Sequence, residues 1–184
     1  MTKKSNASYK WTFALGLLLA GCAQTPPPDT TQPQVYVAFN PQRWLAEGKI
    51  ALRYPECSKV HGCKEKSVMA TAAWTHQNKT EMLVLSDPMG QERMRITYAN
   101  GVVNVREGSR ERSFNREDMI REMGIPLPFE SLAAWLTTKR ADEAFDAEGW
   151  YVELSDWQGT HYRSIRLRQK DYQTRLVVQN IYAI

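Results

Sequence analysis

The stretch RMRITYANGVVNVR, residues 93–106, determines the fold class. Apolar and polar residues alternate on both sides of Asn100-Gly101, which is typical of strands with one buried face. On the first side, Met94, Ile96 and Tyr98 share that face. Asn-Gly between two such segments is a strong signal for a two-residue hairpin turn. The stretch therefore predicts two adjacent antiparallel strands.

Similar alternation recurs before and after a central helical segment. Asn115 is a suitable N-cap for a helix over 116–123, and a second helix is predicted over 129–136. Strands, two helices and strands again indicate the α+β class, with one curved antiparallel β-sheet and the helices packed across its concave side. The other predicted strands cover 49–54, 67–74, 81–85, 143–145, 150–154, 162–168 and 174–182.

The N-terminus has the pattern of an export signal. Three lysines precede an apolar run over 11–20, which is too short to span a bilayer. The run ends in Leu19-Ala20-Gly21-Cys22, which resembles the lipobox of bacterial lipoproteins. We expect residues 1–21 to be a signal peptide, Cys22 to be the acylated mature N-terminus, 22–40 to be an extended linker and 41–184 to be the folded domain. An ordinary signal peptide with a chance cysteine is the alternative.

Charge and motif content exclude several function classes. The net charge of +4 falls to +1 without residues 1–21, so we expect no nucleic-acid binding. His76 and His161 lie in no recognisable catalytic motif, and no glycine-rich phosphate loop is present. We therefore expect a protein that is not an enzyme and needs no cofactor or metal.

Two further cysteines are separated by five residues. Cys57 and Cys63 form an even pair once Cys22 is acylated, and an exported protein favours a disulfide between them. A metal site that adds His61 is the alternative, although the spacing is unusual and a fourth ligand is missing. Lysines at 59, 64 and 66 make this segment basic, as either a solvated loop or a contact for anionic headgroups or an acidic carrier.

The segment from Ser86 to Gly90 predicts a tight turn. Asp87-Pro88 followed by Met89 and Gly90 has proline and glycine where such turns favour them, and places Met89 at the tip, pointing to solvent. The alternative is an ordinary turn whose methionine folds back against the sheet.

Several short sequence motifs occur in the same order as in a known family. Together with the lipobox they resemble the LolB family of outer-membrane lipoprotein receptors. The resemblance implies a LolA/LolB-like unclosed β-barrel of about a dozen strands with short helices over its open side. These motifs are Trp44–Ala51, Ala73-Trp74, Leu83–Gly90, Gly124–Pro128 with Trp135-Leu136, and Gly149-Trp150.

The resemblance also implies a function. Such a protein accepts acylated lipoproteins from a LolA-like periplasmic carrier and inserts them into the outer membrane, to which it is itself lipid-anchored. Pro88, Met89 and Gly90 would form the membrane-insertion loop, where the family usually has leucine in place of Met89. Ala23 after Cys22 implies export to the outer membrane. We expect a monomer, and the alternative is a structural or assembly envelope lipoprotein that binds a protein partner with the same fold.

A cavity for acyl chains needs an apolar lining. The apolar faces of the predicted strands and helices supply candidates, although most such stripes pack into a dry core, which is the alternative for each residue. The candidates are Ile50, Leu52, Met94, Ile96, Leu132, Trp135 and Leu136.

Overall fold

The computed structural model describes residues 38–58, 60, 62–123 and 127–184. Ten strands and two helices form these parts of the chain. The first strands are β1 (Arg43–Ser58), β2 (Gly62–Gln77), β3 (Thr80–Ser86), β4 (Glu92–Ala99), β5 (Val102–Glu107) and β6 (Arg110–Asn115). They are followed by α1 (Arg116–Met123), α2 (Phe129–Thr137), β7 (Ala144–Ala147), β8 (Trp150–Trp157), β9 (Tyr162–Gln169) and β10 (Tyr172–Ala183).

All ten strands belong to one antiparallel sheet that does not close. Its order is β6-β5-β4-β3-β2-β1-β10-β9-β8-β7, so the first and last strands of the chain are neighbours in the middle. The edges are β6 and β7, and the chain crosses from one to the other through α1 and α2. This arrangement confirms the predicted α+β class and the unclosed barrel, with ten strands in the described ranges where the resemblance implied about a dozen.

One face of the sheet, here called the inner face, carries the core. Trp44 and Trp74 pack on it with ring centroids 4.8 Å apart in an edge-to-face contact. Side chains from α2, including the fully buried Leu136, complete this main cluster. A second, smaller cluster joins the two helices to β4, β5 and β6, and comprises Tyr98, Val103, Phe114, Met119 and Phe129.

A bulge interrupts the pairing of β1 with β10. Glu47 lies opposite Asn180 whereas Gly48 lies opposite Val178, so one residue of β10 is skipped. A Cβ atom built on Gly48 would lie 2.0 Å from the carbonyl oxygen of Val177. Only glycine therefore permits this close approach of the two backbones.

The helices agree with the sequence predictions, and one strand was not predicted. Asn115 caps α1, because its side-chain oxygen accepts a hydrogen bond from the Asp118 N–H at 2.8 Å. Ile120 of this helix is 46% exposed. The strand β6 was missed because its sequence RERSFN has one buried apolar residue, Phe114. Within the described ranges, no helix is both long and apolar enough to cross a membrane.

Several predictions concern residues that the structure does not describe. The signal peptide 1–21, Cys22 and the linker up to residue 37 lie outside the described ranges, as do Lys59, His61 and residues 124–126.

Candidate functional site

An apolar cavity of about 60 Å³ lies between the inner face and α2. Leu132 and Phe129 of α2 cover it, and Ile50 of β1 and Leu83 of β3 belong to the strands beneath. Eight of the ten residues around it are apolar: Ile50, Trp74, Leu83, Phe129, Leu132, Ile165, Leu167 and Leu176, with Glu81 and Thr174 as the polar members.

Two of the seven predicted cavity residues line this space. They are Ile50 and Leu132. Trp135 and Leu136 belong to the main core cluster, and Ile96 packs against the second cluster. Leu52 and Met94 lie half-buried on the inner face, outside the cavity lining. The structure therefore distributes the predicted set between the cavity, the two core clusters and the rest of the inner face.

A buried carboxylate in the cavity wall was not anticipated from the sequence. Glu81 is 4% exposed, accepts a hydrogen bond from Trp74 Nε1 at 2.7 Å and lies 2.7 Å from His76 Nδ1. Burial raises the pKa of Glu81, while the bonds to His76 and Trp74 act against that rise. The strand alternation could have indicated this carboxylate. Residues 74 and 76 share a face, and β3 begins just after the next turn, which places Glu81 opposite His76.

Polar contacts tie α1 and α2, which we call the lid, to β4 on one side and to the end of β7 on the other. The Tyr98 hydroxyl of β4 donates a hydrogen bond to the Glu130 carboxylate of α2. Burial, followed by this bond to Glu130, raises the pKa of Tyr98 to about 12. On the other side, the Ser131 hydroxyl donates to the carboxylate of Glu148, which follows β7. Arg116 approaches the same carboxylate at 3.8 Å.

The turn between β3 and β4 presents an exposed methionine. Met89 is 87% exposed at its tip. The Asp87 carboxylate holds the turn by accepting hydrogen bonds from the N–H groups of Met89 at 2.9 Å and Gln91 at 3.0 Å. Gly90 has a φ of +81°, a conformation that favours glycine. The Met89 side chain therefore projects from a backbone that is fixed by local bonds.

The charge of Asp87 is itself stabilised in this turn. The N–H of Gln91 and the side chain of Arg93, whose nitrogen lies 2.7 Å from the carboxylate, hold the pKa of Asp87 below its usual value. The turn therefore keeps its geometry over the neutral pH range.

Cys63 is disulfide-bonded, and its cross-strand neighbour in the β1–β2 pairing is Cys57. The Cys57–Cys63 disulfide stays a prediction, because the structure does not describe the Cys57 side chain. In the described part of the chain, no group of three or more His, Cys, Asp or Glu side chains is placed to hold a metal ion.

Comparison with known proteins agrees with this architecture. Residues 42–180 match the family model of LolB, described as outer membrane lipoprotein LolB. The chain belongs to the LolB family. Its relatives include an outer-membrane lipoprotein LolB of Shewanella loihica, 26% identical over 93% of this chain and 86% of that protein.

Two other LolB relatives align over a smaller part of their length. The LolB protein of Shewanella frigidimarina is 28% identical over 66% of this chain and 56% of its own length. That of Cellvibrio japonicus is 29% identical over 70% of this chain and 64% of its own length. The chain therefore spans a little over half to nearly nine tenths of these relatives, all of which are named as lipoproteins of the outer membrane.

Proposed function

We propose that this LolB family member is a non-enzymatic receptor, anchored in the outer membrane through acylated Cys22, that accepts lipoproteins from a periplasmic carrier and inserts them into that membrane. Family membership supports the proposal, and the apolar cavity beneath the lid is the observation that carries it. Acyl chains are the part of a lipoprotein that such a cavity shelters from water.

The cavity must enlarge to hold an acyl chain. Pockets that enclose small organic ligands have volumes of about 300–1,000 Å³, well above the 60 Å³ found beneath α2. Displacement of α2 would withdraw Phe129 and Leu132 together and join the cavity to the half-buried inner face around Leu52 and Met94. In this proposal the structure is the closed state, and cargo binding requires the lid to open.

The wall of the cavity suits an apolar ligand despite its carboxylate. The two Glu81 oxygens are engaged by Trp74 and His76, so the charge is satisfied within the wall. An acyl chain would gain about 0.8 kcal/mol for each methylene that it buries. Transfer from carrier to receptor then needs only a difference in affinity, and about 1.4 kcal/mol gives a tenfold preference.

Release into the bilayer is assigned to the turn of Met89. An 87% exposed methionine at the tip of a fixed turn is an unfavourable arrangement in water and a favourable one at a lipid interface. The experiment uses the chain from residue 22 onward with Cys22→Ala, mixed with a carrier loaded with one acylated lipoprotein. We expect cargo to move to the receptor and then into vesicles.

Met89→Glu is expected to separate the two steps. The variant should accept cargo normally and insert it at least about tenfold more slowly, because an interfacial apolar contact worth about 1.5–3 kcal/mol is replaced by a charge. Met89→Leu should behave as wild type. Val102→Glu, which alters a 38% exposed residue at the opposite end of the neighbouring strands, is the matched control.

Two outcomes would contradict the proposal. Absence of transfer to a well-folded receptor would favour a structural envelope lipoprotein that binds a protein partner. Unchanged insertion by Met89→Glu would remove the turn from the mechanism while leaving the cavity in place.

A further inference from the structure

The β1–β2 hairpin extends well beyond the rest of the sheet. Both strands have 16 residues. Pairing of β1 with β10 reaches only as far as Arg53, and pairing of β2 with β3 begins only at Thr71. In the part of the chain that the structure describes, residues 54–58 and 62–70 therefore pair with no strand besides β1 and β2, because 54–58 pair with 62–66 and 67–70 pair with 50–53. We call residues 54–58 and 62–70, with Val60 at the tip, the arm.

The surface of the arm combines basic and isolated apolar side chains. From Arg53 to Lys66 the sequence holds four basic and two acidic residues, a formal excess of two positive charges. Cross-strand ion pairs join Arg53 to Glu65 at 2.6 Å and Lys66 to Glu56 at 2.7 Å. Among the described residues no acidic side chain pairs with Lys64. Counted with Arg53 at its base, the described part of the arm carries three basic and two acidic side chains, a formal excess of one positive charge.

The arm projects from the same end of the strands as the Met89 turn. Ser86, the last residue before that turn, lies opposite Thr71, where the arm meets the sheet. Three large apolar side chains in the described ranges are more than 80% exposed, namely Met89 at 87%, Val60 at 83% and Met69 at 81%. All three lie on the arm or on the turn beside it.

We propose that the arm is a second membrane contact, which binds an anionic phospholipid surface while the neighbouring turn inserts. Lys64 faces lipid phosphates, and Val60 at the tip and Val68, on the same face of β2 as Lys64, enter the interfacial region. Each basic side chain near an anionic bilayer strengthens binding by about fivefold. This assignment rests on the proposed function, because it gives the arm a part in the same insertion step.

The composition of the arm favours lipid over a protein partner. Charged side chains lie between Val60 at its tip and Val68 and Met69 at its base, whereas the centre of a protein interface is depleted of charge. Lysines along an unpaired strand edge also discourage addition of another strand. A two-stranded hairpin is marginally stable alone. The disulfide at Cys63 suits a hairpin that must stay formed without neighbouring strands.

The test measures flotation of the chain from residue 22 onward, with Cys22→Ala and without carrier or cargo. Vesicles of phosphatidylethanolamine with phosphatidylglycerol are compared with vesicles of phosphatidylcholine alone. We expect preferential binding to the anionic vesicles that weakens as salt is added. Val60→Ser combined with Lys64→Glu should lower the affinity at least about tenfold.

Matched controls carry the same changes at the far end of the strands. Val102→Ser and Lys79→Glu alter exposed residues there and should leave vesicle binding unchanged. If the double variant folds poorly, Val68→Ser alone should weaken binding several-fold.

Three results would be decisive. Equal binding by the arm variants and wild type, or no binding of wild type to anionic vesicles, overturns the proposal. Normal vesicle binding with impaired transfer from the carrier would assign the arm to a protein contact instead, and also overturns it. Arm-dependent vesicle binding by a protein that accepts no cargo would refute the proposed function and leave the arm assignment standing.

Discussion

Glu81 is a carboxyl group built into an apolar wall. Its carboxylate is buried beside the cavity, and removal from water raises its pKa. Trp74 and His76 supply the hydrogen bonds that water would otherwise provide, each at 2.7 Å. The ring of His76 in turn stacks on Trp44, with centroids 5.2 Å apart. The polar group is therefore built into the main cluster.

Replacement of Glu81 should alter how stability depends on pH. A raised pKa means that the folded state holds its proton more tightly than the unfolded state, whose carboxyl titrates near 4.5. This linkage stabilises wild type below that pH and is lost as pH rises through the raised value. We expect the free energy of unfolding of wild type, relative to Glu81→Gln, to fall as pH increases above 4.5.

Chemical denaturation across the pH range measures this difference, and Glu92→Gln provides a control of opposite sign. The bonds to Arg95 and Arg106 lower the pKa of Glu92 to about 2. The stability that Glu92 contributes is therefore present above pH 4.5 and is lost as pH falls towards 2. A flat difference for Glu81→Gln would show that the carboxylate titrates as it does in the unfolded chain.

At the scale of elements, the pairing of β1 with β10 depends on Gly48. Gly48→Ala should force the two strands apart at the bulge, because the new Cβ would overlap the Val177 carbonyl. Overpacking of this kind costs about 1–3 kcal/mol. The midpoint of denaturant unfolding should fall accordingly.

Thr71→Ala, an exposed change on the adjacent strand β2, is the control for this effect and should shift stability by no more than about 0.5 kcal/mol. Similar unfolding midpoints for Gly48→Ala and wild type would mean that the bulge can rearrange without cost.

Elements with local signals were predictable, and those set by distant partners were not. Asn100-Gly101 and Asn115 act on their immediate neighbours, so the hairpin and the start of α1 followed from the sequence. The strand β6 is an edge strand that buries only Phe114 among polar residues, so it lacks alternation. The predicted strands 49–54 and 67–74 stopped short of the tip of the arm, because residues 55–66 carry charges on both faces and are held by pairing with each other.

At the scale of the whole molecule, α2 covers the cavity, and the proposed function requires it to open. Tyr98→Phe removes the hydroxyl that binds Glu130 of α2 while keeping the ring that stacks on Phe129. A hydrogen bond to a charged group contributes about 1.5–3 kcal/mol. The open state should become more populated, and the apparent affinity for a fluorescent fatty acid should rise by about tenfold or more.

Tyr182→Phe is the matched control for the lid. It removes a similar hydrogen bond, from the Tyr182 hydroxyl to Glu47 at 3.2 Å, between exposed side chains of β10 and β1. We expect its fatty-acid affinity to equal that of wild type. An equal affinity for Tyr98→Phe would mean that this bond does not hold the lid closed.

The candidate site was only partly predictable, because the cavity lies between α2 and strands that are distant from one another in the sequence. Ile50 and Leu132 could be chosen from their apolar faces, but which strand lies beneath which helix depends on pairings between distant segments. Ile165, Leu167 and Leu176 reach the cavity from β9 and β10, more than a hundred residues after β1. Periodicity identifies a buried face and does not identify the partner that covers it.

The lid helices belong to a segment whose two ends continue into β6 and β7, the opposite edge strands of the sheet. A helix attached at one end could rotate away from the sheet. A segment attached to both β6 and β7 instead becomes looser as those edges approach and tighter as they separate. A ligand that moves β6 away from β7 would stretch this segment. A force that flattens the segment would press on the ligand. Under the proposed function, filling and emptying of the cavity would both change the separation of β6 and β7.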